Sequence, residues 1–210
     1  MAGEHLYREH TASGNYYKYT VSLWFKSNNI PTSNSYFFGL GADGSSYDDS
    51  RLYMSSTAPH KLSYTASDAG ISGVVTDAGI RDYNSWYHFL VSVDTTVQHA
   101  DDRVKLYING ERRDVGNSGM ASQHASITHN IEKEIMIIGS YNGSSTFTGE
   151  GNYCDMFNVD GLALTPDVFG YHKDGNGNMS VGVPKIDKNA SGQWVPKSPR
   201  VIKNRINQLG

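Results

Sequence analysis

Apolar and polar residues alternate along residues 86–113, and this alternation is the clearest structural signal in the sequence. The apolar positions are Tyr87, Phe89, Val91 and Val93 in the first half and Val104, Leu106 and Ile108 in the second. A period of two residues is typical of a strand with one buried face. Asn109-Gly110 then supplies the positive φ angles that a tight type I′ turn requires. We therefore predict two adjacent strands and a further reversal, with four core residues between two sheets: Val91, Val93, Leu106 and Ile108.

Shorter runs of the same kind occur before and after this segment. They span residues 15–27, 36–41, 51–56, 60–66, 71–77, 134–140 and 152–160, and Gly, Pro, Ser, Asn and Asp separate them. Short strands between turn residues predict an all-β fold, an antiparallel jelly-roll β-sandwich. The two glycines within 36–41 predict a bulge or a close approach of another backbone segment. The helical signal is a single turn over 165–170, in which Thr165 is a candidate cap and Pro166 occupies the first helical position.

The overall charge and hydropathy argue against several classes of partner. The chain has 18 Lys and Arg against 21 Asp and Glu, a net charge of −3. Nucleic-acid binding is not expected, because a phosphate-binding surface needs clustered basic residues. The sequence has neither about 18 consecutive apolar residues nor an apolar run after a basic start, so we expect no membrane span and no signal peptide. The chain is expected to be made in a cytoplasm.

The charge is distributed unevenly along the chain. Residues 171–210 carry seven Lys and Arg against two Asp, a net charge of +5, so residues 1–170 carry −8. We divide the chain into an N-terminal segment (1–15), the sandwich (16–170) and a basic arm (171–210). A basic arm on an acidic body indicates docking onto an acidic neighbour, and folding back across its own domain is an equal alternative.

The arm is expected to be poorly ordered, or ordered only on itself, in the isolated protein. Its glycines, asparagines and charges bury too little apolar surface to offset the entropy of ordering. A competing account is that Trp194 packs on the protein's own sandwich. The residues expected to dock onto a partner are Trp194, Lys197, Arg200, Ile202, Lys203, Arg205 and Ile206.

Several motifs in a fixed order resemble a known family. They are VSLWFKS at 21–27, WYHFLVSVDTT at 86–96, DRVKLYINGERR at 102–113, DGLALTP at 160–166 with Phe169-Gly170, and GQWVPK at 192–197. Together they are similar to the laminin-G-like, concanavalin A-like jelly rolls in virion proteins of tailed bacteriophages. The resemblance implies a virion structural protein (a head decoration, fibre or tail-associated subunit) that assembles in the host cytoplasm. Its expected partners are other virion proteins, further copies of itself and host-surface glycans.

Two features depart from the pattern of that family. Asn158 falls in line with Cys154 and Met156, so it is expected to need a buried partner or an exposed edge. The sequence VGVPKI at 181–186 precedes GQWVPK as if this part of the chain were duplicated or lengthened. The course of the arm is therefore left open.

The sequence contains no recognisable catalytic motif. Laminarinase-type hydrolases of this fold carry ExDxxE, and retaining hydrolysis needs two carboxyl groups about 5–5.5 Å apart. That motif is missing, and Asp155 with Asp160 gives an incomplete set. HExxH, P-loop, GxSxG and GxGxxG motifs are missing too. We therefore expect no enzyme, and a diverged hydrolase is the weakest of the alternatives. The single cysteine, Cys154, is expected to be a small buried apolar side chain.

Three regions of the chain contain candidate ligand-binding residues. Asp43, Asp48 and Asp49, or Asp94, Asp101 and Asp102, offer the oxygens that Ca²⁺ needs, although a solvated loop is the simpler explanation of either cluster. A sugar ring needs an aromatic face together with hydrogen-bonding side chains. The candidates are Tyr141, Asn142 and Asn152, with Tyr47 beside Asp48 as another. Ordinary surface tyrosines are the simpler explanation, and a free lectin or adhesin remains the alternative to a virion protein.

Overall fold

The structure, a computed structural model, is an antiparallel β-sandwich. It describes residues 6–41, 50–116, 119–127, 129, 132, 135–140, 149–169, 186–188 and 194–196. A six-stranded sheet faces a five-stranded sheet. The strands of the first lie in the order Leu6–Glu9, Ile135–Ile138, Ser35–Gly41, Ser50–Met54, Lys61–Ala66 and Ile71–Gly79, and those of the second in the order Gly151–Asp160, Lys18–Ser27, Tyr87–Asp94, Val104–Ile108 and Glu111–Arg112. Within the described residues, no helix has the length and apolar character needed to cross a membrane. The predicted fold class is confirmed.

The bounds of the elements follow the predicted runs closely. The strands are β1 (Leu6–Glu9), β2 (Lys18–Ser27), β3 (Ser35–Gly41), β4 (Ser50–Met54), β5 (Lys61–Ala66), β6 (Ile71–Gly79), β7 (Tyr87–Asp94), β8 (Val104–Ile108), β9 (Glu111–Arg112), β10 (Ile135–Ile138), β11 (Gly151–Asp160), β12 (Ile186–Lys188) and β13 (Trp194–Pro196). Short 3₁₀ helices span Ser67–Ala69, Ala100–Asp102 and Pro166–Phe169.

The main core lies between the two sheets and contains the residues that the alternation predicted. Val91, Val93, Leu106 and Ile108 are all buried in it. Their prediction is confirmed. Three phenylalanines join the two sheets: the ring of Phe37 lies 4.4 Å from that of Phe25 and 5.0 Å from that of Phe89, centroid to centroid. Aromatic pairs at such separations stabilise a core beyond the area they bury.

The reversal after β8 has the conformation that the sequence predicted. Asn109 and Gly110 have φ angles of 52° and 85°. Ile108 pairs with Glu111 across the turn, so two residues connect β8 to β9. The side chain of Asn109 also accepts a hydrogen bond of 2.9 Å from the backbone N–H of His88. The turn is therefore tied to the neighbouring strand β7.

The outer face of the five-stranded sheet is covered, which the alternation of β7 did not predict. His88, Leu90 and Ser92 point away from the main core and are nonetheless buried. A second apolar cluster covers this face, with its residues drawn from the sheet and from the segment after β11: Leu90, Tyr107, Val159, Leu164, Val168 and Phe169. The Thr20 hydroxyl fixes that segment, because it donates to the carbonyl of Leu162 and accepts from the N–H of Leu164.

A bulge interrupts β11 and changes which of its residues face the core. The pairing with β2 shifts register between Cys154 and Phe157, and Asp155 has a φ of 46°. Cys154 pairs with Trp24 on the outer face, whereas Met156 packs against the main core. Asn158 therefore shares the core face with Met156, as predicted, but not with Cys154, because the extra residue of the bulge reverses the alternation between them. The expected buried partner exists: Nε2 of His129 lies 2.9 Å from Oδ1 of Asn158.

Three strands and one irregularity differ from the sequence prediction. The strand β1 lies within the predicted N-terminal segment and pairs with β10. The register of β3 with β4 shifts between Tyr36 and Phe38, ahead of the glycines that were expected to form the bulge. In the arm, β12 pairs with β13 in a separate two-stranded sheet. The lengthened motif thus supplies two strands that pair with each other.

Candidate ligand-binding site

A cleft of about 280 Å³ opens at the end of the sandwich where the chain crosses from one sheet to the other. It lies between the end of β2, the start of β3 and the residue before β11. The residues that line it are Ser27, Asn29, Ile30, Pro31, Thr32, Ser33, Ser35 and Glu150. A volume near the lower end of the usual range for ligand sites suits a small ligand or the terminal unit of a larger one.

The connection between β2 and β3 is anchored at both of its ends. At the first end, the hydroxyl of Ser27 donates a 2.6 Å hydrogen bond to the carbonyl of Asn29. At the other, Oδ1 of Asn34 accepts a 2.9 Å hydrogen bond from the N–H of Ser56. Such side-chain to backbone bonds replace the sheet bonds that a turn lacks. The cleft wall is therefore held in place by the strands on either side.

Glu150 reaches the cleft because a glycine lies on each side of it. A Cβ atom on Gly149 would come within 2.4 Å of the Tyr36 carbonyl, and one on Gly151 within 2.4 Å of the Lys26 carbonyl. Only glycine permits this close approach of the backbone. The carbonyl of Gly149 also accepts a 2.8 Å hydrogen bond from the hydroxyl of Tyr153. These contacts fix the backbone of Glu150 at the cleft.

Asn152, one of the predicted sugar-binding residues, lies beside the cleft. Its Nδ2 donates a 2.9 Å hydrogen bond to Oδ1 of Asn28, which immediately follows β2. Trp86 is exposed at the same end of the sandwich, one residue before the pair formed by Tyr87 and Phe25. An exposed indole and a pair of amide side chains thus lie at the same end of the sandwich as the cleft, outside its hydroxyl-rich lining. This combination suits a polyhydroxylated ligand.

Most of the other ligand-binding candidates fall outside the residues that the structure describes. Tyr141 and Asn142 lie outside the described residues, in the chain between Gly139 and Gly149. The N–H of Gly149 donates a 2.9 Å hydrogen bond to the carbonyl of Gly139, at the end of the sandwich that holds the cleft. Asp43, Tyr47, Asp48 and Asp49 also lie outside the described residues, between the ends of β3 and β4. The described residues on either side, Gly41 and Ser50, lie about 20 Å from the end of β3 at the cleft, since a strand rises about 3.3 Å per residue.

The second acidic cluster does not form a cation site. Asp94 lies 3.1 Å from the ammonium group of Lys18 and accepts hydrogen bonds from Thr96. Asp102 is paired with Lys105 and Arg112. Within the described ranges, no three His, Cys, Asp or Glu side chains are grouped so as to hold a metal ion. The Ca²⁺ prediction for Asp43, Asp48 and Asp49 stays a prediction.

A hydrogen-bonded network of one serine, one histidine and one asparagine crosses the interior of the sandwich. Oγ of Ser50 lies 2.8 Å from Nδ1 of His129, whose Nε2 lies 2.9 Å from Oδ1 of Asn158. The order resembles a nucleophile with its base and an orienting group. Ser50 and His129 are fully buried, however, and the ring of Tyr19 stacks on that of His129 at 3.6 Å. Burial lowers the pKa of His129 to about 3. These three hydrogen-bonded side chains cannot reach a substrate, and they satisfy one another's polar groups within the core.

The remaining candidates for catalysis are also unsuited to it. Asp155 and Asp160 are five residues apart on β11, which places them about 16 Å apart along the strand, too far for a retaining pair of carboxylates. Asp160 accepts a hydrogen bond from the N–H of Asn15. Cys154 is only partly buried, less than expected, and burial together with the Asp155 charge raises the pKa of its thiol to about 11. The expected lack of catalysis stays a prediction.

The predicted docking residues of the arm are mostly outside the described part of the chain. Trp194 begins β13, and its strand pairs with β12. The other six candidates are not described: Lys197, Arg200, Ile202, Lys203, Arg205 and Ile206. The docking role of all seven residues stays a prediction.

The cleft itself was not predicted from the sequence. The segment that forms one wall, 28–35, was interpreted only as turn residues, and Glu150 was not considered. A signal was present, since a glutamate between two glycines directly before a strand marks a place where the backbone approaches a neighbour closely. The segment that faces Glu150 across the cleft is set by where the chain crosses from one sheet to the other, and the sequence pattern does not specify that crossing.

The two facing antiparallel sheets and the cleft at their end define a lectin-like β-sandwich. The family described as the concanavalin A-like lectin/glucanases superfamily, of the laminin G type, matches residues 6–167, and the chain belongs to this family. The predicted laminin-G-like, concanavalin A-like resemblance is confirmed, and a phage origin stays a prediction. No curated protein matches the sequence significantly.

Solved structures show the same fold at low sequence identity. The native heptameric SAP-like pentraxin from Limulus polyphemus is 16% identical with a TM-score of 0.57, over 77% of this chain and 71% of the pentraxin. The CBM40 of the Ruminococcus gnavus IT-sialidase, bound to α2,3-sialyllactose, is 14% identical with a TM-score of 0.51, over 77% and 94%. The leech intramolecular trans-sialidase is 14% identical with a TM-score of 0.53, over 77% and 26%.

Proposed function

We propose that this chain is a non-catalytic carbohydrate-binding domain whose ligand site is the cleft between β2, β3 and β11. The observation that carries the proposal is the cleft wall itself: four hydroxyl side chains, one amide and one carboxylate around Ile30 and Pro31. Hydroxyl and amide groups exchange hydrogen bonds with sugar hydroxyls, while the two apolar residues suit the C–H face of a pyranose. The CBM40 structure of similar fold, which holds a sialyllactose, supports a sugar as the ligand class.

Filling the cleft is expected to abolish sugar binding without unfolding the protein. Ser33 is exposed and lines the cleft, so Ser33→Trp places an indole in the ligand's space and leaves the core intact. We expect the purified protein to bind members of a glycan array, and the variant to bind the same glycans about tenfold more weakly or worse, a loss of about 1.4 kcal/mol.

The matched control is Ser122→Trp, an equally exposed serine at the opposite end of the sandwich. That end is identified by the hydrogen bond from the N–H of His124 to the carbonyl of Thr95, next to the end of β7. This control should bind as the wild type does. Undiminished binding by Ser33→Trp would place the sugar site elsewhere, and a protein that binds no glycan on the array would refute the proposed function.

We also propose that the domain is a structural subunit of a phage virion, a head decoration, fibre or tail-associated protein that docks through its basic arm. The motifs shared with phage virion proteins and the separation of charge, +5 in the arm and −8 in the body, support this role. Opposite charges steer association between subunits. Other virion proteins and further copies of this chain are the proposed partners, assembled in the host cytoplasm, and host glycans are the proposed ligand of the cleft.

Removing the arm is expected to prevent incorporation into particles while leaving the domain folded. The deletion of residues 190–210 removes β13, which pairs with β12 and lies in neither main sheet. We expect an unchanged Tm and no signal for this variant in mass spectra of purified particles. A second variant that lacks only residues 198–210 retains Trp194 and shows whether the charged end or the two-stranded sheet is the anchor. Incorporation of the 190–210 deletion at wild-type copy number would contradict the docking role.

A further inference from the structure

We infer that the cleft discriminates ligands by charge: Glu150 favours a sugar that carries an ammonium group and disfavours one that carries a carboxylate. This inference rests on the proposed sugar-binding function and specifies the class of ligand. Among the described residues that line the cleft, Glu150 is the one charged side chain, since the others are serines, a threonine, an asparagine, an isoleucine and a proline.

Glu150 is held where its charge acts on a ligand. The residue before it is fixed by hydrogen bonds with Gly139 and Tyr153, and the residue after it pairs with Ser27 at the start of β11. Ser27 itself lines the cleft. The fixed backbone on both sides keeps the Cα atom of Glu150 at the cleft, and its exposed side chain projects from there. The cleft therefore presents a defined negative charge beside neutral hydrogen-bonding groups.

No basic side chain balances this charge within the described wall of the cleft. The closest lysine in sequence is Lys26, which alternates with Phe25 and Ser27 along β2 and so points to the opposite face of the sheet. An anionic sugar would place its carboxylate near Glu150 without a cationic partner, at the cost of repulsion. An amino sugar would form an ion pair there. The cleft thus has the charge pattern expected of an amino-sugar site.

The expected discrimination is modest, because Glu150 is exposed to solvent. Exposed ion pairs contribute a few tenths to about 1 kcal/mol, which corresponds to about a twofold to fivefold change in Kd. The preference should shrink at high salt, because solvent-exposed charges are screened. Salt dependence therefore separates a charge effect from a steric one.

The test compares sugars of the same ring configuration that are neutral, carry an ammonium group at C2 or carry a carboxylate at C6. The probes are the methyl glycosides of glucose, glucosamine and glucuronic acid, and the three corresponding galactose derivatives, titrated at low and at high salt. For the wild type, we expect the amine to bind about twofold to fivefold more tightly than the neutral sugar, and the carboxylate more weakly than either. Glu150→Gln should bring the amine and the neutral sugar to the same affinity without weakening the neutral one.

Glu9→Gln is the matched control, because Glu9 is an exposed glutamate that pairs with Ile135 at the other end of the sandwich. It should leave the order of affinities unchanged and so excludes a general effect of net charge. An unchanged preference in Glu150→Gln, or a carboxylate sugar bound as tightly as the neutral one, would overturn the inference while leaving sugar binding in place. If none of the six probes binds, the proposed function fails and this inference fails with it.

Discussion

Acidification from pH 7.5 to 5.0 is expected to lower the free energy of unfolding by about 4 kcal/mol, because two histidines are buried in their neutral form. His88 and His129 are fully buried, and burial lowers the pKa of each to about 3 from an ordinary value of 6.5. Each is packed against polar partners: Nε2 of His88 lies 2.8 Å from the Ser22 hydroxyl, and His129 lies between Ser50 and Asn158.

The free energy of unfolding falls on acidification because the unfolded state, and not the folded state, binds the protons. Above pH 6.5 both states hold neutral imidazoles, and the full stability is present. Between pH 6.5 and about 3, the unfolded chain takes up protons that the folded protein cannot, so each histidine removes about 1.4 kcal/mol per pH unit. At pH 5.0 this amounts to about 2 kcal/mol for each residue. His10, whose pKa is also lowered by burial, adds a smaller loss in the same direction.

Urea denaturation at a series of pH values measures this effect directly. The midpoint should fall steadily as the pH is lowered below 6.5, while the slope of the transition stays constant. His99→Gln is the matched control, since His99 is exposed, and it should show the wild-type pH dependence. A loss of only about 2 kcal/mol by pH 5.0 would show that one of the two imidazoles becomes protonated within the folded protein, and a loss of less than about 1 kcal/mol that both do.

Leu106→Ala is expected to cost about 2–5 kcal/mol of stability. Leu106 is fully buried on the central part of β8, where it pairs with Val91 and packs in the main core. Removing its methyl groups loses their transfer free energy and leaves a cavity between the sheets, which the strands on both sides prevent from closing.

The comparison is made by thermal and urea denaturation of this variant and of Leu6→Ala. Leu6 is 69% exposed on β1, so the same truncation there should change stability by less than about 0.5 kcal/mol. An unchanged Tm for Leu106→Ala would contradict the assignment of the inner face of β8. A large loss for Leu6→Ala would mean that β1 is packed more tightly than its exposure indicates.

The strands that alternate regularly could be predicted, because their burial is decided by neighbours two residues apart. The turn at Asn109-Gly110 is equally local, since positive φ angles depend on residue type. The strand β1 gave no such signal, because its four residues are all exposed and neither face needs apolar side chains. Its existence depends on the edge that β10 offers.

The covered outer face depends on contacts that are distant in sequence. His88 and Ser92 look like solvent-facing residues until the segment 162–169 folds over them, and Thr20 holds that segment from across the sheet. The partner of Asn158 was expected from its chemistry, yet its identity as His129 was not. A bulge cannot be located from alternation alone when both faces of a strand carry apolar residues, as those of β11 do.

The candidate site could be predicted only in part, because it too depends on contacts between residues that are distant in sequence. Asn152 was identified from its residue type and its place near the start of the last core strand, and it lies beside the cleft without lining it. Glu150 and Ser33 come together only because β2 ends in one sheet and β3 begins in the other. Hydroxyl groups in a turn have no distinguishing pattern, so their function depends on the crossing that brings them opposite a carboxylate.

The hydrogen bond between Gly139 and Gly149 makes the chain between them an exchangeable insert. Its two ends meet at fixed backbone positions, and both are attached to strands whose pairing does not depend on the residues in between. Loops closed at their base tolerate changes of length at a small entropic cost. Natural variation or a designed library could therefore change the number and identity of residues between these two glycines without redesigning the sandwich, so that one scaffold accepts many different insertions.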